Sequence, residues 1–231
     1  MTTSGNTIYQ LSRNEIIEAA IGLLGAIAAG QTPTTEDYTI SSKFLNTTIA
    51  RFRTKGLSLW ARKSYTWTPT TDTYLIGDGK TLDTPYPIHI LQAWRTDSGG
   101  AKIPLDIDAD YDFNQYPATV GDIPFKLTYT PAINYGTIKL WPTGLTTNTN
   151  TLTIVYTRPL EYFDASTDTM DLPEEWYDAI IWDLATKIAP RWGVPIPDRR
   201  ELKAEAKAYL DAAMESGFED ASFYLSPSSR P

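Results

Sequence analysis

Several groups of side chains in this sequence are of kinds that can do chemistry, and their spacing decides what each could do here. Gly79-Lys80-Thr81 has the form of the end of a phosphate-binding loop, in which backbone N–H groups between two glycines cradle phosphate oxygens. The first glycine of that loop would stand at position 74, where the chain has Tyr74, so the cradle cannot form and a hairpin turn around Gly77-Asp78-Gly79 is predicted instead. Asp106, Asp108, Asp110 and Asp112 alternate as carboxylates do at the start of a calcium loop. Such a loop needs glycine at its sixth position and a bidentate glutamate at its twelfth, where this chain has Tyr111 and Pro117. The run is therefore read as a solvated acidic turn, with a cation site of another type as the alternative.

His89, the single histidine, lies in the apolar run Pro87-Ile88-His89-Ile90-Leu91. No cysteine, second histidine or nucleophile signature accompanies it, so a structural or interface role is favoured over a base. A hydrolase using His89 with the aspartates between 106 and 112 is the weakest of the functional readings. Glu174 and Glu175 follow Pro173 in the first turn of a predicted helix, where the helix dipole accounts for both without an acid/base role. Arg199 and Arg200 are less easily explained. In the first turn of a helix predicted to be capped by Asp198 they oppose the dipole, at about a few tenths of a kcal/mol each. Carboxylates of a neighbouring subunit would compensate, which makes the pair a candidate subunit interface; two solvated side chains are the plain alternative. No catalytic, cofactor-binding or metal-ligating residue is assigned, and no enzymatic activity is expected.

Bulk properties narrow the field further. With 231 residues, 42% of them hydrophobic, the chain can bury a substantial core in one large domain or two small ones. Its net charge of −8 argues against tight wrapping of nucleic acid, which depends on Lys and Arg neutralising phosphates. An acidic wall beside DNA suits sliding better than holding. The absence of cysteine excludes disulfides and thiolate metal sites. The apolar run at residues 16–29 contains Glu18 and falls short of the ~20 residues that span a bilayer, so no membrane partner is expected. Without a basic region at its start, the protein is expected to be made in the cytoplasm.

Helices are predicted at both ends of the chain and strands between them. Ser12 and Glu15 form a capping box ahead of Ile16, Ile17, Ala20, Leu23, Leu24 and Ile27, a helix expected to stop at Gly30. Thr34 and Asp37 cap a second helix, with Phe44, Leu45, Ile49 and Phe52 on its buried side, up to Gly56. Beyond residue 63, Tyr, Trp and Thr alternate between Pro and Gly punctuation, as strands do. At the far end Trp176, Ile180, Leu184 and Ile188 make one helical stripe that should end near Ala189. Asp198 with Glu201 predicts a capping box for a second stripe of Leu202, Ala206, Tyr209, Leu210 and Ala213, closed by Gly217. The predicted fold class is α+β: residues 1–62 and 171–217 are two helix hairpins packed into one helical bundle, and residues 63–170 an inserted antiparallel β domain, a sheet or small barrel. Residues 218–231 form an extended tail whose Phe218, Phe223, Tyr224 and Leu225 need a docking surface.

This order of features resembles the head-to-tail adaptor proteins of short-tailed phages, the tail tubular protein A-like or tail accessory factor family. The resemblance rests on the capped first helix running into LGAIAAG, on FLNTTIARFRTKGLSLW leading into Tyr- and Trp-rich strands, and on DLPEEWYDAIIWDLATKIAPRWGVP before an Ala/Glu/Lys-rich helix. It covers both ends of the chain well and the β segment loosely. It implies a structural virion protein of the phage neck: a connector ring, usually of twelve copies, that joins the portal protein to the tail nozzle protein around the DNA channel. The partners it implies are the portal, the nozzle, further copies of the chain and, in addition, tail fibres. Genomic DNA would pass through the lumen at ejection without sequence-specific binding. Carried onto this chain, Phe218, Phe223, Tyr224 and Leu225 belong to a portal-docking arm. The alternative function is a glycan-binding or host-recognition β module of a tail protein, in which the chain's 7 Trp and 14 Tyr residues would stack on sugar rings.

Overall fold

A computed structural model describes residues 9–27, 30–53, 61–121, 123–143 and 149–216. The chain divides into two compact units, Met1–Trp60 with Leu160–Pro231, and Ala61–Pro159. In the first unit, α1 (Arg13–Leu23) starts at the capping box that its sequence encodes. The Glu15 amide donates to Ser12 Oγ at 3.4 Å, and the Ser12 amide donates to the Glu15 carboxylate at 2.8 Å. The helix stops at Leu23, well before Gly30, because Gly25 turns the chain at a φ of +59°. Helix α2 (Thr35–Arg53) begins with the same device, Asp37 N–H to Thr34 Oγ1 at 3.3 Å and Thr34 N–H to the Asp37 carboxylate at 3.1 Å.

A turn of 3₁₀ helix, Glu174–Trp176, leads into α4 (Tyr177–Ile188), whose Tyr177, Ala179, Ile180, Ile181, Asp183, Leu184, Ala185 and Ile188 are buried. A helix apolar nearly all round is a helix surrounded by others. Helices α1 and α2 each pack mainly on α4 and only lightly on each other, and α5 (Ile196–Ser216) packs on α4 through Ala206, Leu210 and Ala213. This corrects the expected bundle of two hairpins. The helices form a cluster around one hub, because the stripes of α1, α2 and α5 are narrow and α4 offers apolar surface to all three.

The loop at residues 160–170, which the expected bounds of the β domain included, belongs to the helical unit. Asn46 on α2 donates to Phe163 O at 3.0 Å and accepts from Phe163 N at 3.1 Å. The Arg13 amide donates to Asp168 O at 2.8 Å.

The second unit holds β1 (Arg62–Trp67), β2 (Thr73–Ile76), β3 (His89–Thr96), β4 (Lys102–Pro104), β5 (Asp106–Asp108), the one-turn α3 (Asp110–Phe113), β6 (Lys126–Ala132), β7 (Tyr135–Trp141) and β8 (Thr151–Thr157). They form two four-stranded sheets in the orders β1-β8-β3-β4 and β2-β7-β6-β5. One cluster draws Ala93, Leu152, Ile154 and Tyr156 from the first sheet and Tyr74, Ile76, Leu127, Ile138 and Leu140 from the second, so the two inner faces share a core. The predicted single antiparallel sheet or small barrel is corrected on two counts: there are two sheets, and β5 pairs with β6 in parallel. The chain changes sheet at the buried Leu105, between the edge strands β4 and β5. Among the described residues no helix is long and apolar enough to cross a membrane.

Candidate functional site

The residues singled out from the sequence do not converge on one place. Gly77 and Gly79 have φ of +155° and +67° and make a tight loop, closed by Lys80 N–H to Gly77 O at 3.1 Å and Gly79 N–H to Asp83 Oδ1 at 2.8 Å. Lys80 Nζ lies over the Tyr135 ring, 5.3 Å from its centre. The lysine is thus aimed at an aromatic face, and the loop's amides are used on the protein itself. His89 is exposed on β3, paired in register with Thr157. Glu174 and Glu175 are exposed in the 3₁₀ turn.

The aspartate run is structural wherever it is tied down. Asp108 Oδ2 takes hydrogen bonds from Lys126 Nζ at 3.0 Å and from the Tyr116 hydroxyl at 2.9 Å, and Lys126 also donates to that hydroxyl at 2.7 Å. The Tyr116 hydroxyl and Asp108 together hold the Lys126 ammonium well above the usual lysine range. Asp110 Oδ1 accepts from Thr130 Oγ1 at 3.1 Å and Lys139 Nζ at 3.4 Å, and its other oxygen accepts from Asn114 at 3.1 Å. The Thr130 hydroxyl above all, with Lys139 and Asn114 adding to it, keeps its carboxyl below the ordinary value; burial, second only to Thr130, works against them. The lysines of β6 and β7 neutralise carboxylates of β5 and α3, beside the backbone pairing that joins β5 to β6. Among the described residues no three His, Cys, Asp or Glu side chains gather as a metal site.

Arg199 and Arg200 sit differently from the expectation. Helix α5 starts at Ile196, two residues before Asp198, with Arg199 N–H donating to Pro195 O at 3.0 Å. Pro197 is compatible with the first turn because no N–H is needed there. The Asp198–Glu201 capping box is therefore not formed: Asp198 lies inside the first turn, and the two arginines lie beyond it, where the dipole opposes them less. Arg199 is half-buried, with its Nε enclosed and unbonded among the described residues. Arg200 lines a cleft of about 530 Å³ with Arg51, Asp183, Lys187, Lys203 and Lys207. On the opposite flank of α5, Asp198, Glu201 and Glu205 line a hollow of about 340 Å³ with Leu23, Leu24 and Trp182. Reading by elements missed this segregation, although it is visible as like charges at i, i+3 and i+7. Also missed was a trough of about 660 Å³ in the β unit, edged by Leu91, Trp94, Lys102, Leu105 and Ile107. Phe218, Phe223, Tyr224 and Leu225 lie outside the described residues.

No protein-family model matches this chain, and no curated protein is significantly similar to it. The tied polar clusters brace strands and helices, and the charged rows of α5 are left exposed.

Proposed function

We propose that the protein is a structural component of a phage virion, a head-to-tail adaptor whose copies form a ring between the portal and the tail nozzle around the DNA channel. The observation that carries this reading is the use of the charged side chains. In the β unit they tie strands together, as Asp108 with Lys126 and Asp110 with Lys139 do. On α5 they are displayed in exposed, sorted rows. Sorted surface charge of this kind selects partner and register, which a subunit with fixed neighbours needs. The net charge of −8 fits a wall past which DNA slides. Localisation in the neck of the virion, and contacts with portal, nozzle and fibres, belong to the same proposal.

The β unit offers less to sugar stacking. Trp67, Trp94 and Trp141 are half-buried, with Trp67 against Tyr74 at 5.8 Å, Trp141 against Phe125 at 4.7 Å, and Lys102 over the Trp94 ring at 5.3 Å. The test of the adaptor reading is to mix the purified protein with portal rings from the same source and examine the mixture by electron microscopy. A stoichiometric collar on the portal is expected, lost on truncation after Gly217. No complex at any salt concentration would sink the reading.

A further inference from the structure

Helix α5 carries two rows of charge with identical spacing. Asp198, Glu201 and Glu205 form one, and Arg200, Lys203 and Lys207 the other, each at i, i+3 and i+7 and offset by two residues. At 3.6 residues per turn the rows fall on nearly opposite sides, roughly 160° apart. Between them runs the stripe of Ala206, Leu210 and Ala213 buried on α4. Within each row, like charges sit at i+3 and i+4, an arrangement that destabilises an isolated helix. Charges two residues apart along a helix do not face each other, so the rows cannot neutralise one another within the chain. All six side chains are exposed, and none takes a hydrogen bond or ion pair from another described residue.

The surroundings reinforce the separation. Arg51 and Lys187 add cations to the cleft beside the basic row, outnumbering Asp183 and Asp211, while the hollow beside the acidic row is lined by Leu23, Leu24, Trp182, Val194 and Leu202 with no cation among the described residues. What each row lacks is a straight row of the opposite charge at the same spacing, and the other side of the same helix in a second copy supplies it.

We propose that α5 is a two-sided self-association element, in which the basic row of one copy receives the acidic row of the next: Arg200 against Asp198, Lys203 against Glu201 and Lys207 against Glu205 of the neighbouring copy. The two helices run in the same direction at a stagger of two residues, and a tilt of α5 to the ring axis absorbs that offset so that the operator is a pure rotation. Because the contact joins two different surfaces, an open series leaves one unmatched row at each of its two ends, and all are satisfied only when the series closes. The inference rests on the ring reading for closure and names the surface that joins its subunits. Charge rows of this type select partner and register more than they supply affinity, and they weaken as salt rises.

The experiment uses the full chain and two triple variants, Arg200→Glu/Lys203→Glu/Lys207→Glu and Asp198→Lys/Glu201→Lys/Glu205→Lys. A zero-length carbodiimide cross-linker is applied to mixtures of normal and ¹⁵N-labelled protein at high concentration, with mass measured by sedimentation in parallel. Wild type is expected to give mixed-isotope Lys203–Glu201 and Lys207–Glu205 links that fade with salt. Each variant alone should lose association by more than about tenfold, and the two variants mixed should recover it, which a merely destabilised helix cannot do. Absence of mixed-isotope α5 links in wild type, or association unchanged in both variants, overturns the proposal. If wild type still joins portal rings in that case, the adaptor reading stands without it. Self-association through α5 with no portal binding has the opposite consequence.

Discussion

The Asp183 carboxylate of α4 is clasped by the Arg51 guanidinium of α2, and Lys187 lies 3.7 Å from its other oxygen. Asp183 is 7% exposed, whereas the Arg51 side chain is 44% exposed. The pair fastens α2 to the hub helix with one end in solvent. Asp183→Asn leaves both cations facing a neutral amide, and a loss of about 2 kcal/mol is expected, below the cost of breaking a fully buried pair because Arg51 is screened by water. Arg51→Ala should cost less, since Lys187 remains beside the carboxylate. Urea titration of the two variants checks the order; equal losses would contradict it.

Lys187 gives the same contact a pH signature. Burial pushes its ammonium below the ordinary 10.5, with Asp183 pulling back up and Arg51 adding to the fall. Between the lowered value and 10.5 the unfolded chain binds more protons than the folded one, so this group's contribution to stability rises with pH across that window. Site-resolved acetylation followed against pH should show a midpoint at Lys187 below the ordinary 10.5, and a lower one still in Asp183→Asn. A midpoint at or above 10.5 would refute the assignment.

The Asp168 carboxylate accepts the amides of Asp164 at 2.8 Å and Ala165 at 2.6 Å, and these bonds, the Ala165 one first, hold it below the usual carboxylate range. Its backbone oxygen takes the Arg13 amide, so the loop it shapes also seats the start of α1. The sign follows from the depressed folded value: the stabilisation is complete above the ordinary 3.8 and is lost as pH falls through the folded pKa. Asp168→Ala should therefore lower the melting temperature at neutral pH, with the gap from wild type closing in acid. Thermal melts at a series of pH values test this, and a gap that widens in acid would exclude it.

Local signals were legible in the sequence, and partner choice was not. Ser12 with Glu15 and Thr34 with Asp37 announce helix starts because each cap is complete within a few residues. Asp198 with Glu201 has the same pattern and does not form, since Pro197 fits the first turn and the helix begins earlier. The strands are visible as alternation, as in β7, where Gly136, Ile138 and Leu140 are buried between half-buried neighbours. Their sorting into two sheets, and the parallel pairing of Asp106–Asp108 with β6, are long-range choices of partner, with Lys126 and Lys139 lying far along the chain from the aspartates they neutralise. The charge rows of α5 are written in the sequence, but they become a surface only once Ala206, Leu210 and Ala213 are known to face α4.

Gly136 on β7 is roofed by the ring of Tyr129 on β6, and a Cβ added there would fall within that ring. The ring has little freedom to yield. Its hydroxyl donates to Pro87 O at 2.5 Å, and burial, with Tyr86 adding, pushes the hydroxyl's pKa up to about 12. Gly136→Ala must therefore displace a fastened aromatic, and a loss of about 1–3 kcal/mol is expected, as for other overpacked cores. Tyr129→Ala alone loses the ring's burial and its hydrogen bond. In the double variant the clash is gone, so Gly136→Ala should add little once Tyr129 is alanine. Denaturant unfolding of the two single variants and the double variant reads this coupling, and strictly additive losses would show that Tyr129 is not what keeps position 136 a glycine.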